Sequence, residues 1–175
     1  MSRLAIHEAA HAVVALSLGY KVESARTTGP DGGAVACAWA DVDNAAGLAD
    51  SVRIALAGTV AESLAGFAWQ PPRLNPFVAA GDLDHVARAA RVLEAVGYST
   101  REQLESETRG LLIDRWERVV AVADALEAGG VLTGREIEQI LRKFAANPRP
   151  GSRDDGARPS RSPCAFVEEL TKEVS

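Results

Sequence analysis

The run Leu4 to Leu18 reads Leu-Ala-Ile-His-Glu-Ala-Ala-His-Ala-Val-Val-Ala-Leu-Ser-Leu and is closed by Gly19. Alanine and leucine favour helix and a glycine just past the last periodic residue is a natural stop, so this stretch is predicted to be helical. On a helix, His7 and His11 lie one turn apart on the same face, where both imidazoles can reach one metal ion. Glu8 stands beside the first histidine, placed to act as a base on a water held by that metal. Val14 and Leu18 continue the stripe of the two histidines, so the metal face runs straight into buried surface. The competing reading is two histidines packed in an alanine-rich core helix. The chain holds only three histidines in all.

With 175 residues, 47% of them apolar, the chain suits one domain with its own core plus a tail. A formal net charge of −5 argues against a nucleic-acid partner, because phosphate binding needs a basic footprint. No apolar run is long enough for a membrane span, and the N-terminus lacks a signal-peptide pattern. Cys37 and Cys164 have no disulfide framework or metal-ligand spacing, so they read as free thiols in a reducing, cytoplasmic setting.

Lys21 to Thr28 and Ala34 to Trp39 have strand-like composition around the turn cluster Gly29 to Gly33, which predicts one hairpin. From about Gly47 to Leu64, Val52, Leu56, Val60 and Leu64 recur every four residues, which predicts a helix closed by Gly66. Phe67 to Ala80 carries Pro71, Pro72 and Pro76 and reads as a long loop. A third helix is predicted from about Gly81-Asp82 to Ala95. The capping box at Thr100 to Gln103 opens a long one to about Ala128, weakened at Gly110. A second capping box, Thr133 to Glu136, opens a short helix to about Ala145. Residues 147 to 175 are rich in proline, glycine, arginine and serine and read as a disordered tail, with at most a short helix over Ala165 to Val174. The fold class is thus mainly α, in the α+β sense: a helical domain over 1–146 with one small β-hairpin.

A catalytic zinc site takes three protein ligands and keeps its fourth position for water. No histidine follows His11 until His85, so the third ligand comes from a later helix, where Glu62, Asp82, Asp84 and His85 are the candidates. The residues alone leave these four open; Asp82, near a predicted helix start where the dipole favours an ionised carboxylate, reads by itself as an ordinary helix-start acid.

Three further segments follow His7-Glu8-Ala9-Ala10-His11 in order: Leu56-Ala57-Gly58-Thr59-Val60-Ala61-Glu62, Gly81-Asp82-Leu83 and Gly97-Tyr98-Ser99. Together they resemble the peptidase domain of FtsH-type proteases, and Ala123 to Ile137 is similar to that family's closing helix pair. The resemblance spans about residues 1 to 143. It implies a helical zincin-type fold, a Zn2+ cofactor held by His7, His11 and Asp82, and Glu8 as the catalytic base. Gly81 departs from the family's asparagine, and the loop before it differs. Asp84 and His85 then face elsewhere on their helix and read as solvated. Glu62 recurs in the family pattern and either orients a histidine ligand through its free ring nitrogen or is a polar surface residue. Gly58 reads as a site of close helix packing. The region Val22 to Trp39 looks like the family's edge strand, along which a substrate would add as a further strand.

The function this implies is a zinc-dependent metalloendopeptidase acting on unfolded or flexible polypeptides, with Glu8 activating a zinc-bound water. The family's enzymes carry membrane segments and an ATPase domain before the peptidase. This sequence starts six residues before His7 and has no Walker-type loop, so the expected activity is ATP-independent, alone or with a separate ATPase or adaptor. Oligomerisation is compatible with it. The alternative is a non-catalytic module of the same fold that binds or regulates another protein.

Overall fold

A computed structural model describes residues 1–27, 33–38, 44–67 and 78–145 of the chain. Among these are six helices and three short strands: α1 (Arg3–Ser17), β1 (Lys21–Arg26), β2 (Ala34–Ala38), α2 (Ala45–Leu64), α3 (Val78–Ala95), α4 (Arg101–Asp114), α5 (Trp116–Gly129), β3 (Val131–Thr133) and α6 (Gly134–Ala145). The chain is mainly helical with a small antiparallel sheet.

Helix α1 is the axis of the molecule. Ser2 caps it by accepting from the Ala5 amide, and every residue from Ala5 to Ala15 is buried. It packs against α2, α5 and the sheet. Its alanines are what let neighbours approach on several sides, since they present little bulk and cost no helix propensity. At its end the Tyr20 amide reaches back to the Ala15 carbonyl and the Gly19 amide to that of Leu16. Gly19 makes this closure with φ +89°, which glycine adopts without strain. Helix α2 ends the same way, Phe67 bonding to the Glu62 carbonyl and Gly66 to that of Ser63. Glu62 therefore sits in a last turn whose backbone is fixed.

The sheet has the order β2-β1-β3, all antiparallel. The expected hairpin is β1–β2, with Lys21 opposite Ala38, Arg26 opposite Ala34, and a bulge between Val22 and Ser24. The third strand corrects the single-hairpin expectation. Val131–Thr133 lies on the other side of β1, Arg26 opposite Val131 and Ser24 opposite Thr133. The segment is only three residues long and runs directly into the Thr133–Glu136 cap, so it carries no alternation of its own. It is held in place by the β3–α6 junction, where Gly134 lies so close to β1 that a Cβ there would fall 1.9 Å from the Val22 carbonyl oxygen.

Two further expectations change. The predicted single helix from Thr100 breaks at Arg115 (φ −118°, ψ 16°), not at Gly110. The break lets α4 pack on α2 while α5 packs on α1, directions one straight rod could not serve. Helix α3 starts at Val78, earlier than expected, so Asp82 is its fifth residue and has no first-turn acid's claim on the dipole. Both capping boxes are present, Thr100 with Gln103 and Thr133 with Glu136. The turn at 29–32, Trp39, most of the proline-containing segment (68–77) and the tail over 147–175, with Cys164, lie outside the described residues.

Candidate metal centre

Helix α2 presents one line of residues to α1, and that line sets the two histidines. Ile54, Gly58 and Glu62 recur at four-residue intervals and so share a face. His11 Nδ1 lies 2.6 Å from the Ile54 carbonyl oxygen. A carbonyl only accepts, so Nδ1 carries the proton and Nε2 is left with its lone pair. His7 Nδ1 lies 2.8 Å from Glu62 Oε1, and it donates to that carboxylate. Arg3 Nη2 in turn donates to Glu62 Oε2 at 2.5 Å. Gly58 makes room for the ring: a Cβ there would fall 2.4 to 2.6 Å from the His7 imidazole atoms. The close packing expected of Gly58 thus turns out to be packing against His7 itself.

With both Nδ1 atoms tied back, the two Nε2 atoms face one point, and α3 brings Asp82 to it. Asp82 Oδ2 is 3.4 Å from His11 Nε2 and 3.7 Å from His7 Nε2. The three ligand atoms lie within 4.8 Å of one another. A zinc ion with bonds of about 2.0–2.2 Å in a tetrahedral site needs donor atoms roughly 3.3–3.6 Å apart, which the two Asp82 separations match closely. His7 Nε2 is buried and makes no hydrogen bond, since 3.7 Å is too long for one. A buried nitrogen without a partner is costly unless something occupies its lone pair. Two imidazoles and one carboxylate, with a carboxylate and a carbonyl behind the imidazoles, form a donor set that could hold a zinc ion.

The charges around the site are coupled. Burial works to lower the His7 pKa, but the Asp82 and Glu62 carboxylates outweigh it and push it up to about 9. Burial likewise opposes ionisation of Asp82, yet His11 and His7 hold its carboxyl well below the usual range. Glu62 is held low by His7 and Arg3 against its own burial. A cation at this point would therefore have to compete with the His7 proton.

Glu8 is 1% exposed, with Oε1 buried and without a hydrogen bond from any of the described residues. Burial raises its pKa, and the nearby His11 and His7 partly restrain the rise. Gly33, just before β2, lies on it: a Cβ at Gly33 would fall 2.2 Å from Glu8 Oε1. Gly33 thus closes over the glutamate, while Asp82 is one-third exposed.

The structure brings together His7, Glu8, His11, Glu62 and Asp82, all read from the sequence, and leaves out two candidates. Asp84 is exposed and paired with Arg88 at 2.8 Å. His85 is not solvated as expected: it is half-buried, with Nε2 2.8 Å from Ser51 Oγ. Glu62 is half-buried and hydrogen-bonded to His7, the contact its orienting reading requires. Sequence reasoning missed Arg3, Gly33, Ser51 and the Ile54 carbonyl. The last acts through its backbone and leaves no side-chain signal. A cavity of about 570 Å³ lies elsewhere, between the end of α1, α2 and α4, and is lined by the Asp50–Arg53–Glu107 ion pairs. It shares no residue with the candidate metal centre. Neither protein-family models nor curated protein sequences give a match to this chain.

Proposed function

We propose that this chain is a zinc-dependent metalloendopeptidase of helical zincin type, hydrolysing peptide bonds in unfolded or flexible polypeptides. The observation that carries the reading is the convergence of His7 Nε2, His11 Nε2 and Asp82 Oδ2 beside the buried Glu8, whose Oε1 has no hydrogen bond among the described residues. His7, His11 and Asp82 hold the zinc. The ion supplies a Lewis acid that acidifies water and polarises a carbonyl. Glu62, steadied by Arg3, and the Ile54 carbonyl keep the proton of each imidazole on Nδ1.

Glu8 is the general base. Its Oε1 accepts a proton from the attacking water, and the same oxygen returns that proton to the leaving amine nitrogen. Burial raises its pKa and so makes it a stronger base than an exposed carboxylate. Strand β2 lies at the edge of the sheet and begins next to Gly33, which touches Glu8. A polypeptide pairing with that edge would be led to the base by backbone hydrogen bonds, with little demand on its side chains. No helix among the described residues is long and apolar enough to cross a membrane. A separate ATPase or adaptor would be needed only for folded substrates.

Gly33 covering Glu8 favours a second reading, a metal-holding module that binds another protein without cleaving it. The zinc-loaded protein incubated with an unfolded protein such as casein separates the two. Peptidase activity requires cleavage that chelators stop and that His11→Ala abolishes. Stoichiometric zinc with no cleavage would leave the binding module.

A further inference from the structure

Asp82 is the ligand that the fold holds least tightly. The two histidines come from the buried centre of α1, but Asp82 is one-third exposed and lies in the second turn of α3. Among the α3 residues whose side chains are described, 81–95, none from 81 to 85 is buried, and the buried apolar positions there are Val86, Ala89, Ala90 and Leu93. Around the ligand, over 81–85, the one apolar side chain is Leu83, and it is only half-buried.

The same stretch carries His85. Three residues beyond Asp82, it projects from the same side of α3. Its Nε2 is 2.8 Å from the hydroxyl of Ser51, a residue of α2 that is 1% exposed. That hydroxyl also lies 2.7 Å from the Leu48 carbonyl oxygen. A serine has one proton and a carbonyl only accepts, so the proton goes to Leu48 and the hydroxyl oxygen accepts from His85. This network assigns the His85 proton to Nε2. Ser51 stands one turn before Ile54 on α2, in line with Gly58 and Glu62, which set His7. One helix face thus positions both histidines and reaches the third ligand through a single side-chain bond.

We propose that the His85–Ser51 hydrogen bond is the positioning element for Asp82, seating the first turns of α3 so that its carboxylate meets the two imidazoles. The inference rests on the reading of His7, His11 and Asp82 as zinc ligands. Neither His85 nor Ser51 touches the metal. Their effect is on how much of the time Asp82 stands in ligating position, and so on metal affinity.

The test is zinc affinity by competition with a chromophoric chelator, with melting of the metal-free protein followed in parallel. Ser51→Ala and His85→Leu should each weaken zinc binding by about 10–100-fold, the usual loss on removing a group that orients a ligand. The double variant should be no weaker than the worse single one, because both remove the same bond. His85→Gln, which keeps a donor on a side chain of similar length, should recover most of the affinity. In an Asp82→Ala background, adding Ser51→Ala should change the residual affinity hardly at all, which general loosening of the fold would not reproduce. Ser51→Ala removes a single oxygen and decides the matter if His85→Leu does not fold. Parent-like affinity in Ser51→Ala, or an equal loss with and without Asp82, would overturn the proposal while leaving the zinc site standing. A parent that binds no zinc would overturn both.

Discussion

Gly58→Ala sets two effects of known size against each other. In the middle of a helix, alanine in place of glycine stabilises by about 1 kcal/mol. Here, however, the added methyl would meet His7 Cε1 at 2.4 Å, Nε2 at 2.5 Å and Nδ1 at 2.6 Å, whereas ordinary contact starts near 3.4 Å. The ring must retreat by about 1 Å, and such overpacking costs roughly 1–3 kcal/mol. The retreat also stretches the 2.8 Å bond from His7 Nδ1 to Glu62, a bond to a charged group worth about 1.5–3 kcal/mol. The losses win, by about 1.5–5 kcal/mol net, which lowers the melting temperature by roughly 3–20 °C for a domain of this size. A 1 Å shift of Nε2 also far exceeds the ~0.2 Å tolerance of a metal–ligand distance, so zinc affinity should fall at least about tenfold. Thermal melts of the metal-free protein and chelator competition measure the two effects separately. A Gly58→Ala protein that melts higher than the parent and binds zinc equally well would refute the packing of His7 on Gly58.

Asp82→Ala should abolish tight zinc binding and Asp84→Ala should leave it unchanged, as read by metal content after dialysis; the reverse result would reassign the third ligand. Glu62→Ala removes the acceptor behind His7 and should weaken zinc by about 10–100-fold, with Arg3→Ala giving a smaller loss in the same chelator assay. Burial pushes the Cys37 thiol up to about 11, with the Glu23 charge adding to it. Only the thiolate is nucleophilic, so Cys37 in a Cys164→Ser protein should alkylate at pH 8 about 100-fold more slowly than a free thiol and accelerate as pH rises toward 11. Iodoacetamide labelling followed by mass spectrometry checks this, and a fast reaction at pH 8 would contradict it.

The parts of the site that lie along one helix were legible from the order of residues. His7 and His11 share a face because of the 3.6-residue period, and Gly19 and Gly66 mark real helix ends. What escaped depends on how elements meet. The bond of His11 to the Ile54 carbonyl uses a backbone atom that any residue there would supply. The Ser51–His85 bond joins positions 34 apart, with nothing local in either to announce it, and so His85 read as solvated. The third strand is too short to show alternation, and the break at Arg115 answers to packing on two different helices rather than to a weak residue at Gly110. Asp82 was named for its likeness to a family pattern; the dipole argument offered beside it fails, because α3 begins a turn earlier.

The most direct measurement is hydrolysis of an unfolded protein by the zinc-loaded Glu8→Gln variant beside the parent. Glutamine keeps the size of Glu8 and leaves His7, His11 and Asp82 untouched, but removes the base. Zinc content and melting temperature should stay close to those of the parent, while the cleavage rate falls by about 10²–10⁴-fold, the range for losing a general base. Equal cleavage by the two proteins would contradict the role of Glu8, and a zinc-loaded parent that cuts nothing would contradict the peptidase itself.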